Sequence, residues 1–203
     1  MMNYADNSYK IVLDLCGGSG AWSRPYQEAT DKEGNFIYDV RLITLPGQDV
    51  RNYQPPPNVY GILAAPPCQC FSRVSARWWP SMDETGKTCE AIAVFKRCWE
   101  ICQEAIGFWA LENPPGRHSR LIPELDRPTW QFQPYHFGDD WVKQTYLWGR
   151  FNMPWPTNFV KPRPTKRAPS GHTQGRIARL PSSSPLRSIT PPGFASAFFK
   201  MNR

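Results

Sequence analysis

The chain has 203 residues, 40% of them hydrophobic and 20% charged, which gives one domain a sizeable core and excludes a disordered chain. No apolar run approaches the roughly 18 residues of a membrane span. The stretch Met1-Met2-Asn3-Tyr4-Ala5-Asp6 lacks the basic and apolar regions of a signal peptide, so a cytoplasmic protein with six reduced cysteines is expected. The net charge of +7 is unevenly placed: nine Lys or Arg and no Asp or Glu follow Arg150, whereas the first 150 residues carry a net charge of −2. Segregation of this kind points to a polyanionic partner, most simply a nucleic acid.

In chain order, Tyr9 to Leu15 is a continuous apolar strand of the kind found in parallel sheets. Gly17-Gly18-Ser19-Gly20 follows as a tight loop, and Ala21 to Thr30 reads as a helix with Pro25 in its first turn. Strand, glycine loop and helix together form a nucleotide-type binding unit, although an ordinary strand-to-helix turn has the same pattern. Tyr38 to Leu45 is a second strand. Val59 to Ala65 is a third, stopped by Pro66 and Pro67, which cannot donate to a ladder. Cys68 therefore stands at the carboxyl end of a strand, where open α/β sheets place their chemistry. It is either a nucleophile or a small buried thiol.

Phe71 to Trp79 reads as a loop. In the helix expected from Thr88 to Ile106, Ile92, Phe95, Trp99, Cys102 and Ile106 recur every three or four residues and form the core face. Cys98 and Cys102 lie one turn apart without a second pair, so they read as core and no metal is expected. Gly107 to Leu111 is another buried strand that delivers Glu112 to the same edge as Cys68. Trp130 to Tyr135 is extended, residues 151–188 are Pro-rich and basic, and Phe194 to Met201 is a final helix.

Three stretches resemble, in the right order, the motifs of the DNA cytosine-5 methyltransferases. Asp14-Leu15-Cys16-Gly17-Gly18-Ser19-Gly20 is similar to their S-adenosylmethionine loop, Pro66-Pro67-Cys68-Gln69-x-Phe71-Ser72 to their catalytic motif, and Glu112-Asn113-Pro114 to their glutamate-asparagine motif. The resemblance covers about residues 10 to 150. It implies a Rossmann-like methyltransferase fold, mostly parallel, with helices on both faces. It divides the chain into a catalytic domain at 1–150, a basic arm or reduced target-recognition region at 151–188, and a helix at 189–203 that returns to the catalytic domain.

The same resemblance implies a cofactor site of Asp14, Cys16, Gly17, Gly18, Gly20, Asp49 and Pro66. It gives Cys68, Glu112, Asn113 and Lys143 to catalysis and Arg73, Arg77, Lys161, Arg163, Lys166 and Arg167 to DNA. Cys68 would add to carbon 6 of cytosine, Glu112 would engage nitrogen 3, Asn113 would hold the loop or the amino group, and Lys143 would polarise the carbonyl oxygen. The chain departs from the family at the end of the second strand. A ribose-binding acid is expected there, and Thr44, Leu45 and Pro46 stand in its place. The same chemistry on RNA or a free nucleotide, or a non-catalytic binding protein, are the competing readings.

Overall fold

The computed structural model describes residues 9–162 and 188–203. Arg163, Lys166 and Arg167 of the basic arm lie outside the described residues. The framework is a six-stranded sheet in the order β2-β1-β3-β4-β6-β5. Its strands are β1 (Lys10–Leu15), β2 (Tyr38–Ile43), β3 (Gly61–Ala64), β4 (Phe108–Asn113), β5 (Trp130–Phe132) and β6 (Thr145–Arg150). The first four are parallel, and β6 runs antiparallel to both β4 and β5. This is the mostly parallel, Rossmann-like α/β sheet expected from the sequence.

Both faces are covered, which explains why the parallel strands are apolar without alternation. On one face lies α3 (Lys87–Cys102). Its Phe95, Cys98, Ile101 and Cys102 pack on Leu13, Leu15, Ile62, Ala64 and Leu111. On the other lie the short α1 (Arg24–Gln27) and α5 (Pro192–Met201). Trp22, Tyr26, Phe194 and Phe198 there meet Val12, Leu63, Phe108, Ala110 and Leu147. The ring of Phe132 stacks on Phe194 at 3.9 Å, and Trp22 meets Phe198 edge-on at 5.5 Å. The Tyr26 hydroxyl donates to the Asn202 carbonyl, and the Asn202 side chain exchanges hydrogen bonds with the backbone of Asn152. Gly193 is obligatory at the start of α5, because a Cβ there would stand 1.8 Å from the Phe137 carbonyl oxygen.

Several sequence expectations are corrected. The helix expected over Ala21 to Thr30 shrinks to the four residues of α1, because Ser23 precedes Pro25 in a tight turn closed by Arg24 N–H on the Gly20 carbonyl. The α3 helix ends at Cys102, so Ile106, expected in the core, lies in the turn before β4 and is 63% exposed. Phe71 to Trp79 is not an open loop. Residues Arg73–Trp78 form a 3-10 turn in which the Ser72 hydroxyl caps the Val74 N–H, and α2 (Trp79–Glu84) continues from it. The segment expected to extend from Trp130 to Tyr135 leaves the sheet after Phe132, and Pro134 opens a 3-10 turn. No helix among the described residues is long and apolar enough to cross a membrane.

β2 is one edge of the sheet, and its Asp39 and Arg41 pair with each other at 2.6 Å.

Phe198 carries much of the seam between α5 and the sheet: it is fully buried against Trp22, Phe108, Phe151 and Phe194. Phe198→Ala is expected to cost about 3–5 kcal/mol of unfolding free energy, read as a lower midpoint in urea. A loss below about 1 kcal/mol would show that α5 is peripheral.

Candidate active site

Parallel strands bring their carboxyl ends to one edge of the sheet. The registers Leu15↔Ile43, Leu15↔Ala64 and Ala64↔Leu111 align the ends of β1, β2, β3 and β4. The order turns back between β1 and β3, because β2 lies on one side of β1 and the rest of the sheet on the other. Ligands of open α/β sheets bind at such a switch point. The glycine loop after β1 and the Pro66-Pro67-Cys68 turn after β3 flank it.

The glycine loop is held in a conformation that ordinary residues resist. Cys16, Gly18 and Gly20 all take positive φ, at 58°, 57° and 67°. Beneath the loop, the Asp14 carboxylate is fully buried and accepts a 2.6 Å hydrogen bond from the Ser23 hydroxyl. Its second oxygen, Oδ1, has no protein partner. A Cβ on Gly17 would fall 2.0 Å from that oxygen, so only glycine closes over it. Burial pushes the Asp14 carboxyl up to about 6, against the smaller opposing effect of the Ser23 hydrogen bond. The Cys16 thiol lies 3.8 Å from that of Cys98. This contact lowers the Cys16 thiol, while burial and the charges of Asp14 and Asp49 oppose the shift. None of the six cysteines is in a disulfide.

Asp49 caps the turn after β2 and binds Arg51 through both carboxylate oxygens. Those hydrogen bonds hold its carboxyl below the usual range. Thr44 is half-buried at the end of β2, and its carbonyl accepts the Gln48 N–H at 2.9 Å.

Across the switch point, Cys68 is partly buried, and its carbonyl accepts N–H bonds from Phe71 at 3.0 Å and Ser72 at 2.9 Å. Residue parity along β4 sends Glu112 and Asn113 to opposite faces. Asn113 is fully buried on the α3 side. Its Nδ2 donates to the Pro66 carbonyl at 2.9 Å, and its Oδ1 lies 2.9 Å from His118 Nε2. Since Oδ1 only accepts, Nε2 carries the proton. His118 begins α4 (His118–Leu121), stacks on Phe71 at 4.8 Å and is pushed down to about 4 by burial. It is a neutral donor at physiological pH.

Glu112 meets Lys143, whose Nζ is 3.8 Å from its Oε1, and both side chains are mostly buried at 16% and 15% exposure. The antiparallel course of β6 makes this possible. The pairs Glu112↔Leu147 and Asn113↔Tyr146 set the start of β6 beside the end of β4. Lys143, just before β6, is thereby returned to the edge where the parallel strands end, with its own N–H donated to Gln133 Oε1. Arg73 and Arg77 are exposed on the turn that follows Cys68, and the Arg77 guanidinium lies 4.9 Å from the Trp78 ring. Lys161 is exposed beyond the sheet.

Of the residues singled out by sequence, the structure brings together Pro66 with Asn113, Glu112 with Lys143, and Asp14 with Cys16 and Gly17. Arg117, His118 and Asp83 escaped sequence reasoning. The signal for Arg117 and His118 is a basic pair directly after Glu112-Asn113-Pro114-Pro115-Gly116, and Asp83 has none. No group of three or more metal-binding side chains occurs among the described residues.

No family model matches the chain, and no curated protein does. Among solved structures, the chain is similar to an Escherichia coli protein provisionally described as a DNA modification methyltransferase encoded within a prophage. The TM-score is 0.42 and the identity 15%, over 75% of this chain and 52% of that one. The matched region is thus about half the length of that protein.

The Asp14 carboxyl makes a pH prediction. Its folded value, about 6, exceeds the ordinary 3.8. Folding therefore favours the protonated acid, which is fully effective below about pH 4. Between about pH 4 and 6 the unfolded chain ionises first and that advantage is lost. Asp14→Asn is expected to gain about 1–3 kcal/mol over the wild type at pH 7, with the gap closing by pH 4 in urea titrations. A pH-independent difference would rule out the buried acid as its source.

Proposed function

We propose that this protein is a methyltransferase that transfers a methyl group from S-adenosylmethionine to carbon 5 of cytosine in DNA. The observation that carries the reading is the convergence of four groups, Cys68, Asn113, Glu112 and Lys143, at one sheet edge. The Cys68 turn is tied through Pro66 to Asn113, and the adjacent Glu112 faces Lys143. The motif resemblance supplies the reaction class.

The residues of the glycine loop fit S-adenosylmethionine. Asp14 and Asp49 place two acids around Cys16, and an unpartnered buried oxygen lies beneath Gly17. Such a set suits a ligand bearing an ammonium, a sulfonium and an adenine amino group. When bound, the cofactor supplies an electrophilic methyl group. Asp14, the backbone of Cys16 to Gly20, and Asp49 would hold it. Pro66 would bound it on the base side.

The chain's own residues account for activation of the base. Carbon 5 of cytosine is a weak nucleophile while the ring is aromatic. A thiolate from Cys68 adds to carbon 6, and the displaced electron pair makes carbon 5 enamine-like. A free thiol titrates near about 8.5, so the thiolate must be favoured by its surroundings. Cytosine presents adjacent acceptors at nitrogen 3 and the carbonyl oxygen. Glu112 and Lys143, paired at 3.8 Å, suit that edge, with Glu112 holding a proton at nitrogen 3 and Lys143 donating to the oxygen. After transfer, carbon 5 gives its proton to solvent water, and the bond between carbon 6 and sulfur breaks, returning the Cys68 thiolate and restoring the ring. A duplex base must first be flipped out. Exposed Arg73, Arg77 and Lys161, with Arg163, Lys166 and Arg167 beyond, supply positive charge for the phosphates.

Incubation with labelled S-adenosylmethionine and duplex DNA, RNA or dCMP, followed by nucleoside analysis, tests the reading and its competitors. 5-Methylcytosine in DNA is expected. Cys68→Ala is expected to abolish it while cofactor binding persists, and duplex containing 5-fluorocytosine should trap the wild type covalently. Cys70→Ala should be far milder, since its thiol faces the Lys87 carbonyl. Wild-type turnover by Cys68→Ala would falsify the mechanism.

Asp49→Ala is expected to weaken S-adenosylmethionine binding roughly tenfold, the scale of one lost hydrogen bond. Unchanged affinity by calorimetry would remove Asp49 from the cofactor site.

A further inference from the structure

The turn that carries Cys68 is joined to the segment after Glu112 by more than Asn113. Ser72 and Gly116 form an antiparallel bridge. Arg117 N–H donates to the Phe71 carbonyl at 3.0 Å, and Arg73 N–H to the Pro115 carbonyl at 3.2 Å. A Cβ on Gly116 would stand 2.0 Å from the Phe71 carbonyl oxygen, so the two backbones are in direct contact. At the centre lies the Arg117 side chain, only 8% exposed.

Each guanidinium nitrogen of Arg117 has a partner. Nε donates to the Cys70 carbonyl at 2.8 Å. Nη1 and Nη2 grip both oxygens of Asp83, at 2.8 and 2.7 Å, and Nη2 also reaches the Thr88 hydroxyl at 3.1 Å. The Thr88 hydroxyl itself donates to Asp83 at 2.5 Å. The Trp79 ring covers the guanidinium at 4.6 Å. These bonds hold the Asp83 carboxyl down to about 2. One cation therefore fastens four pieces: the carbonyl two residues after Cys68, the helix that follows it, the first turn of α3, and the segment after Glu112.

We propose that Arg117, locked by Asp83, is a positioning residue that fixes the Cys68 turn relative to Glu112 before any base arrives. The inference rests on the reading of Cys68 as nucleophile. A fork with its donors in one plane suits this task, because it sets direction as well as distance. The consequence is a preset reactive edge. Exposed Arg73, Arg77 and Trp78 sit on the span between the clasped points, Cys70 and Asp83, so the DNA-facing turn is anchored at both ends.

The test uses the full-length protein with Asp83→Ala and Asp83→Glu. Peptide-resolved alkylation by iodoacetamide compares Cys68 with Cys16 in the same molecule, and kinetics separate kcat from the KM for cofactor. Asp83→Ala is expected to change the ratio of alkylation rates by about fivefold or more and to lower kcat by about 10–100-fold with cofactor KM unchanged, as expected for misplacement of a reacting group. Asp83→Glu should restore most of both. Tyr26→Phe, which removes a hydrogen bond on the opposite face of the sheet, controls for stability lost without repositioning. An Asp83→Ala protein that matches Tyr26→Phe in alkylation ratio and kcat overturns the proposal. If the wild type transfers no methyl group, the proposed reaction fails, and the alkylation ratio alone still decides the clasp. Should Asp83→Ala not fold, Asp83→Asn, which keeps the shape of the group, takes its place with the same criteria.

Discussion

The turns beyond β3 and β4 are tied to each other through the amide of Asn113. A sheet fixes where strands end, but it does not fix the turns beyond them. The Pro66-Pro67-Cys68 turn leaves β3 through two residues that cannot donate hydrogen bonds to anything. Asn113 supplies a constraint from β4 by donating to the Pro66 carbonyl. Its other end is committed to His118, which fixes which way round the amide sits. A buried amide with both ends satisfied has one orientation, so the cysteine turn inherits one orientation as well. Aspartate in its place would lose the donor, and leucine would orphan both the Pro66 carbonyl and the His118 N–H.

Two acids show how surroundings decide the state of a side chain. Asp14 lies under a glycine loop with one hydroxyl donor and an unpartnered oxygen, and its carboxyl rises to about 6. Asp83 faces a full guanidinium fork and falls to about 2. The first is costly to keep charged because burial strips it of water. The second is the anionic half of a fastening. His118 belongs with the latter: a neutral imidazole among Phe71, Phe95 and Trp148 serves as a fixed donor.

The apolar runs ending at Leu15, Ala65 and Leu111 made the parallel strands readable, because a strand buried on both faces has no polar alternation to blur it. The stops at Gly17-Gly18 after the first strand and at Pro66 after the third could be read because glycine and proline act locally. Long-range facts were less legible. That β6 runs antiparallel, and so returns Lys143 to Glu112, is a property of pairing between β4 and β6 that no local pattern encodes. Asp83 and Arg117 are 34 residues apart, and neither carries a mark of its partner. Ile106 fits the helical period of α3 but falls after the helix has ended, because periodicity cannot register a stop that involves neither glycine nor proline until Gly107.

The paired charges on β2 bear on how the protein behaves at high concentration. A six-residue edge strand offers unpaired backbone groups to any neighbouring chain, and Leu42 there is 37% exposed. Asp39 and Arg41 face the same side of the strand and hold each other at 2.6 Å. Another strand docking alongside would have to strip water from both or pull them apart. The edge thereby resists strand-to-strand aggregation without proline or a bulge, and β2 stays free to end at the switch point in register with β1.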